Sequence, residues 1–508
     1  MDLSVLSALS VFLASVPVFL LVVLLGVFKL SGDKSAFITA CIALITAVSA
    51  FKLSPADAGF AFLYGTVKAV FPILIIIIMA IFSYNVLVHT AKMEVIKEQF
   101  SSISSDKSIQ VLLLTWGFGG LLEGMAGFGT AVAIPAAILI SLGFKPVFAA
   151  TASLLANSVA TGFGAVGTPV KVLATEANVA NIQHLSADIV LQLSPLMIII
   201  PIVLAFMSNP GMKALPKNIV LGLSVGIVSL SAQYAAAVHM GAETPAIIGS
   251  LASIAVIIIF AKITEKKCVK KDKTDFFTKE KLSAWSVYGL ILFLIIITSP
   301  LFAGIRGTLQ SVCVTRFSFP IGEHEKIHVI TWLTDAGLLL FIGALAGGAI
   351  QGAKLKDLFK ILFKTAFEQR KTAVTVCCLI GFSSVMDAAG MIGILGLALA
   401  SVTGVLYPLF APAIGCLGTF LTGSDTSSNI LFGKLQTSVA GQIGSEPSWL
   451  AAANTAGATG GKIISPQSIS VATSACAQQG KEGEIMKRAL PFAAAYVIIA
   501  GIMVLLFA

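Results

Sequence analysis

Charged residues are scarce in this chain. Asp, Glu, Lys and Arg make up 11% of its 508 residues, against about 25% in a soluble globular protein, which excludes an ordinary aqueous surface. Arginine is scarcer still. Arg306, Arg316, Arg370 and Arg488 all sit in or beside polar connections, so an anion bound at mid-membrane depth has to be held by something other than guanidinium. His89, His184, His239, His324 and His328 also lie in or beside polar connections, which leaves no imidazole in the apolar, glycine-rich regions to carry a proton. The seven cysteines have no CxxC spacing and fall mostly in apolar segments, as small packing residues do. The first apolar run lacks a basic leader and a small-residue cleavage site, so it reads as a retained span.

Apolar residues make up 57% of the chain, and its mean hydropathy is +0.97. Runs at Val11–Leu30, Val70–Val88, Ile189–Met207, Pro245–Ala261 and Ala489–Ala508 approach the ~20 residues a helix needs to cross hydrocarbon. Barrel strands would alternate instead. The expected fold is therefore an all-α polytopic membrane protein embedded in the lipid bilayer. The net charge of +9 implies no nucleic-acid partner, because the lysines cluster beside the spans, where cytoplasmic lysines belong.

Two segments carry most of the charge. Lys262–Lys281 holds eight lysines against four acids, and Lys354–Lys371 places Leu355, Leu358, Phe359, Leu362, Phe363 and Phe367 on one helical face, as in a helix lying along the membrane surface. Trp285–Ser299 and Ile330–Ile350 read as two spans between them. A shorter polar stretch, Lys92–Ser105, holds the corresponding place before the first glycine-rich region. From there Trp116–Pro169 and Gly381–Asn429 share a pattern: an acid in a glycine-bearing helix, an apolar run, then a Gly-x4-Gly-[Ser/Thr] break. The organisation expected is two inverted repeats with broken or re-entrant helices. The first covers 1–262, with breaks at 117–130 and 157–170. A basic cytoplasmic loop, 263–284, precedes the second, 285–508, which has the surface helix 354–371 and breaks at 418–436 and 454–469.

Broken backbone survives in lipid only where protein or water satisfies its amides, so these breaks point to a pocket. Half-helix N-termini there would offer N–H groups to a carboxylate. Asn157, Gly164, Gly167, Thr168, Ser424, Thr426, Asn429, Ser465 and Gln467 form the candidate binding set, with Lys462 as a point charge for the anion. Intramembrane acids are functional suspects. Asp425, Glu123 and Asp387 are the candidate proton carriers, and Lys171, Lys434 or Lys462 are their alternative structural partners. No cofactor or metal is expected. Gly343-x3-Gly347 and Gly348-x3-Gly352 would allow close helix contact, within the chain or in a homodimer.

One string suggests another class. His324-Glu325-Lys326-Ile327-His328 matches H-E-x-x-H, the helical zinc motif of metalloproteases, although it sits in a polar connector near Pro320 and Gly322. A solvated loop is the simpler expectation.

The strings GLLEGMAGFGTAVAIPAAILISLGF (120–144), NSVATGFGAVGTP (157–169), GTFLTGSDTSSNILFGKLQ (418–436) and ANTAGATGGKIISPQSI (453–469) resemble, in order, the characteristic segments of the bacterial lactate permease family. That resemblance implies import of lactate or glycolate together with protons across the bacterial inner membrane, without a soluble cofactor. By wider analogy it also implies a mobile transport domain moving against a scaffold. A sodium-driven symporter of another small organic anion is the alternative.

Overall fold

A computed structural model describes residues 7–127, 129–264, 278–322, 324–478 and 480–508. Among them, nine helices are long and apolar enough to cross a membrane, or up to eleven if each of two bent pairs is one span. The chain is a multi-pass membrane protein. It begins with α1 (Ala8–Gly26) and α2 (Gly32–Ser49), then α3 (Pro55–Lys68), which runs through a π-helical turn at Ala69–Leu74 into α4 (Ile75–His89). Phe71 leaves helical φ/ψ in that turn, where Pro72 has no amide hydrogen to give the ladder. The short α5 (Lys92–Ser101) buries Met93, Ile96 and Phe100, with the Phe100 ring against Phe118 and Trp285.

The first broken series follows. After α6 (Lys107–Val111), a second π-helical stretch, Leu112–Gly119, leads to α7 (Gly120–Met125). Gly127 and Gly129, both at positive φ, then turn the chain into α8 (Thr130–Ser141). Next come α9 (Pro146–Thr161) and α10 (Gly164–Glu176), bent by 48° at their junction. The first turn of α10 holds Ala165, Val166 and Gly167 at φ 43°, 56° and 71°. A left-handed β-branched valine is costly. It is held by burial of Val166 and by the close approach of Gly167 to the Ala242 carbonyl, which leaves no room for a Cβ.

Three long helices close the first half: α11 (Ile182–Ser208), α12 (Leu215–Met240) and α13 (Pro245–Thr264). Residues 265–277 of the expected basic loop lie outside the described residues. The chain continues with α14 (Lys279–Ala284), α15 (Ser286–Ile297) and α16 (Ala303–Ser311).

An exception to the all-α expectation comes next. β1 (Val314–Ile321) and β2 (His324–Thr331) form an antiparallel hairpin, with Val314 opposite Thr331 and Ile321 opposite His324. The signal was present, since Val-Thr-Arg-Phe-Ser-Phe and Lys-Ile-His-Val-Ile-Thr are rich in β-branched and aromatic residues and alternate with period two. Because Ile330 belongs to β2, the span expected at Ile330–Ile350 shortens to α17 (Ala336–Ile350). The glycines of α17 are used within the chain. Gly343 and Gly347 press on Ile291 and Val287 of α15, and Gly348 on Val86 and Leu358.

The expected surface helix is α18 (Leu355–Glu368). Leu358 is buried against α4, while Leu355, Phe359, Phe363 and Phe367 stay exposed, as an apolar face toward lipid requires. The second series then repeats the first. It consists of α19 (Arg370–Ala388), a left-handed Gly390, α20 (Met391–Thr403), α21 (Tyr407–Thr422) begun by a proline as α9 is, a left-handed Gly423, and α22 (Asp425–Ile443). The chain ends with α23 (Pro447–Ile464), α24 (Pro466–Ala475) and α25 (Glu482–Leu506).

The breaks are narrower than the sequence suggested. At the first the chain is helical to Thr161 and again from Gly164, and at the second it is helical to Thr422 and again from Asp425. α23 runs unbroken through Gly457, Gly460 and Gly461 as far as Ile464, and the turn comes only at Ser465. Those glycines serve packing, since Gly457 and Gly461 lie against the backbone of Pro412 and Cys416 in α21 and Gly460 against Tyr496. Small residues that admit a neighbouring helix look the same in sequence as residues that end one.

Candidate functional site

The two breaks and the α23–α24 turn meet at one cavity of about 410 Å³. Its floor is built by Glu123 at the end of α7, the start of α10 (Gly164, Ala165, Thr168), the start of α22 (Ser424, Asp425, Thr426), Lys462 near the end of α23, and Gln467 in α24. Ser31 and Asp33 at the start of α2, with Lys371 and Thr372 at the start of α19, line its other end. The cavity therefore runs from the breaks toward the end of the molecule from which α18 leads into α19.

Two buried carboxylates face one cation. Glu123 and Asp425 are 4% and 3% exposed, and Lys462 lies close enough to act electrostatically on both. Lys462 Nζ donates to the Gly423 carbonyl at 2.9 Å, a contact available because the left-handed glycine ends α21. Thr419 Oγ1 donates to Asp425 Oδ1 at 3.1 Å. Glu123 Oε2, Asp425 Oδ2 and the Asn157 amide make no close hydrogen bond among the described residues, although the Asn157 amide stands beside Glu123 and the Thr161 hydroxyl beside Asp425. Buried polar atoms of this kind are paired in most proteins. A group of them beside an open cavity is a place where a proton, water or ligand atom fits.

Gly164 and Gly423 set the close approaches. A Cβ on Gly164 would lie 2.6 Å from Glu123 Oε1, and one on Gly423 would collide with the Gln467 side chain. Ser424 uses its hydroxyl to accept the Ser427 amide at 3.2 Å, capping α22. The amides of the first helical turn have no intrahelical acceptor, and Asp425 and Thr426 of that turn line the cavity.

Not all of the expected binding set reaches this cavity. Gly164, Thr168, Ser424, Thr426, Lys462 and Gln467 line it, together with Glu123 and Asp425. Asn157 is buried behind Glu123. Gly167 packs on Ala242, and Ser465 caps α24 by accepting the Ser468 amide. Asn429 is a clamp: its Nδ2 donates to the Pro169 carbonyl at 3.0 Å and to Thr455 Oγ1 at 2.9 Å, while its Oδ1 accepts from Asn454 at 2.9 Å. Gln436 and Tyr407 extend this network, fastening α22 to α10 and α23. Asp387 lies elsewhere, 3.2 Å from Lys326 of the hairpin and 3.8 Å from Lys434.

Sequence reading missed the ion pair of Lys68 and Glu176, 2.8 Å apart and buried on both sides. A lone lysine between apolar α3 and the apolar run of α4 was the available signal. The zinc motif is corrected. Its residues lie on β2, not on a helix, so backbone positions four apart are about 13 Å apart and lack the one-turn stacking of the helical zinc motif. His328 Nε2 instead lies 2.7 Å from the Phe71 carbonyl oxygen. His184, Asp188 and Glu446 form the one group among the described residues with potential metal-ligand atoms within 4.8 Å of each other. They lie outside the cavity, and Glu446 caps α23 there.

Comparison with known proteins agrees with this architecture. The L-lactate permease family model matches residues 10–508. A Streptococcus iniae protein named L-lactate permease is 41% identical over 441 residues, covering 87% of this chain and 93% of its own length. The Escherichia coli (strain K12) glycolate permease GlcA is 32% identical, covering 98% and 95%. The solved structure of Neisseria gonorrhoeae MtrF, described with a class of antimetabolite efflux pumps, aligns with a TM-score of 0.52 and 13% identity, over 96% of this chain and 97% of that one. At that identity the likeness concerns the fold alone. By sequence over nearly its whole length, this chain belongs to the L-lactate permease family.

Proposed function

We propose that the protein is a secondary transporter that imports lactate, glycolate or a related small 2-hydroxy monocarboxylate together with protons across a bacterial inner membrane. The observation that carries the reading is the pairing of one lysine with two buried carboxylates, each with a free oxygen, at the meeting point of two helix breaks. Relatives named L-lactate permease and glycolate permease support the substrate class.

The chemistry follows from charge. Lys462 and the first-turn amides of α22 attract the substrate carboxylate, and Ser424, Thr426 and Thr168 offer hydroxyls to its 2-hydroxyl group. A fixed anion at Glu123 or Asp425 repels that carboxylate until a proton neutralises it. Each tenfold change in occupancy corresponds to about 1.4 kcal/mol, so relief of one repulsion couples proton and substrate binding. The lysines of α14 and α18 mark the cytoplasmic side by the positive-inside rule. The cavity then opens inward, and the hairpin is external. The two broken series are inverted repeats, and their movement against the remaining spans alternates the access.

Purified protein in proteoliposomes tests this. Inward lactate accumulation driven by an imposed pH gradient, without sodium and with alkalinisation outside, is the expected result. Accumulation that needs sodium and ignores the pH gradient would overturn proton coupling. Failure to move lactate or glycolate under either gradient would overturn the substrate class.

A further inference from the structure

A second, smaller polar cavity of about 30 Å³ lies under the hairpin. Lys68, Lys326, Lys434, Glu176 and Asp387 line it, three cations against two acids. The helices that build it also build the central cavity. In α10 the last central residue is Pro169 and the outer one is Glu176; in α19 they are Val376 and Ser383; in α22 they are Ser427 and Lys434. Each interval is seven residues, which is two helical turns, or about 10 Å along the axis on the same face. The α3–α4 run adds Ile77 to the central cavity and Lys68 to the outer one. The two cavities thus stand in line along the same helix faces.

The outer cavity is closed by ion pairs. Lys68 is held by Glu176 at 2.8 Å. Asp387 takes Lys326 of β2 on one oxygen and Lys434 of α22 on the other. The hairpin is tied down further by the Gly322 amide, which donates to Asp57 Oδ1 at 2.8 Å, and by the Phe319 ring on Tyr64. A volume of this size suits about one or two waters, so a three-carbon acid fits only by displacing the Asp387 carboxylate from its two lysines. With Lys326 and Lys434 both in place, three cations face two acids, and the excess positive charge is what an incoming carboxylate meets.

We infer that the outer cavity is an entry site for a small monocarboxylate, whose carboxylate takes over Lys434 and Lys326 from Asp387 on its way to the central cavity. Asp387 is then a tethered stand-in for the substrate carboxylate in the closed state. The inference rests on the transport reading above and deepens it, because it assigns a second substrate site on the outer side.

The test compares Lys434→Gln, Lys326→Gln and Lys434→Arg with the parent, measuring initial lactate fluxes separately from the outer and cytoplasmic faces in oriented vesicles. Either glutamine variant should raise half-saturating external lactate about 10-fold or more, the loss of one charged hydrogen bond. The cytoplasmic value should stay at the parent's, and Lys434→Arg, which keeps the charge, should raise the external value less than Lys434→Gln. Unchanged external values in both glutamine variants, or equal shifts on both faces, would overturn the inference. Lys326 is on the exposed hairpin, so its variant reads the same contact if Lys434→Gln does not fold. A second measurement does not depend on flux. With Cys313 replaced by serine, external thiol modification of Ser384→Cys should be slowed by lactate, and Lys434→Gln should abolish that protection. A parent that shows protection but no accumulation counts against the transport reading alone, whereas accumulation without protection counts against the entry site.

Discussion

Replacing Lys462 with glutamine is the most direct probe of the central site. The lysine acts on both Glu123 and Asp425, and its ammonium is already oriented by the Gly423 carbonyl. Glutamine keeps a donor of similar reach and removes the charge. A hydrogen bond to a charged partner contributes about 1.5–3 kcal/mol, so lactate affinity should fall roughly 10- to 150-fold. The loss should itself depend on pH. With no cation present, the repulsion between the substrate and any ionised carboxylate in the cavity is uncompensated, and protons become the only way to relieve it. Affinity of the glutamine variant should therefore recover toward the parent's as the pH is lowered, and by more than the parent's own affinity changes. Lactate equilibrium exchange in proteoliposomes across a pH series measures both effects, with thermal stability in detergent as the check on folding. A well-folded variant that exchanges lactate with the parent's half-saturation would refute the assignment of Lys462 to the substrate. A loss that is the same at every pH would refute its role in balancing the two carboxylates.

The other expectations follow from single contacts. Asp425→Asn or Glu123→Gln, whichever removes the proton carrier, should keep lactate exchange and lose accumulation against a pH gradient; accumulation in both variants would exclude these positions as carriers. Gly423→Ala places a Cβ in the Gln467 side chain at a φ of 72° and should lower stability by roughly 1–3 kcal/mol, with Gln467→Ala restoring part of it; an unchanged unfolding midpoint would contradict the packing. Asn429→Leu removes the buried hydrogen bonds to Pro169, Thr455 and Asn454 and should cost about 3 kcal/mol, read as thermal unfolding in detergent. Burial holds the His328 imidazole below its ordinary range, so the docked hairpin is favoured above the unfolded value of about 6.5 and loses that contribution as the pH falls through it. Amide protection factors across 314–321 and 324–331, corrected for the intrinsic base-catalysed exchange rate, should fall as the pH is lowered from about 8 to about 5, and His328→Gln should flatten that dependence.

Much of this was legible because lipid imposes strict rules on sequence. An apolar run near twenty residues has few alternatives to a span, and α1, α11, α13 and α25 fall where the runs lie. The breaks at Gly423 and at Gly162–Phe163 were legible for a related reason, since glycine and proline beside short polar residues have no cheap place in a lipid-facing helix. What was not legible is which glycines break a helix and which admit a neighbour. Gly423 and Gly461 look alike in sequence, yet one is left-handed at a helix end and the other sits in mid-helix against Cys416. Only the partner helix decides. The hairpin was passed over for a different reason: its residues alternate as strands do, but a polar connector inside a membrane protein invites reading as a loop. Asn429 misled in the same way, because its amide meets the Pro169 carbonyl 260 residues away, and no local pattern reports such a partner.

The two series also explain why equivalent acids do different work. Glu123 and Asp387 each stand a few residues before a left-handed glycine, Gly127 in one series and Gly390 in the other. Sequence likeness alone would give them one role. Gly127 lines the central cavity, and Glu123 meets Lys462 there, whereas Asp387 lies in the outer cavity facing Lys326 and Lys434. The second series instead supplies its central carboxylate from Asp425, at the start of α22 after its second break. A site built from one acid of each series, with a cation from outside both, is asymmetric even though its supports repeat. That asymmetry suits coupling. Two identical acids in symmetric surroundings would compete equally for one proton; in the proton-coupled cycle proposed above, acids on different helices would meet solvent differently, so that one would load from outside while the other discharged inside.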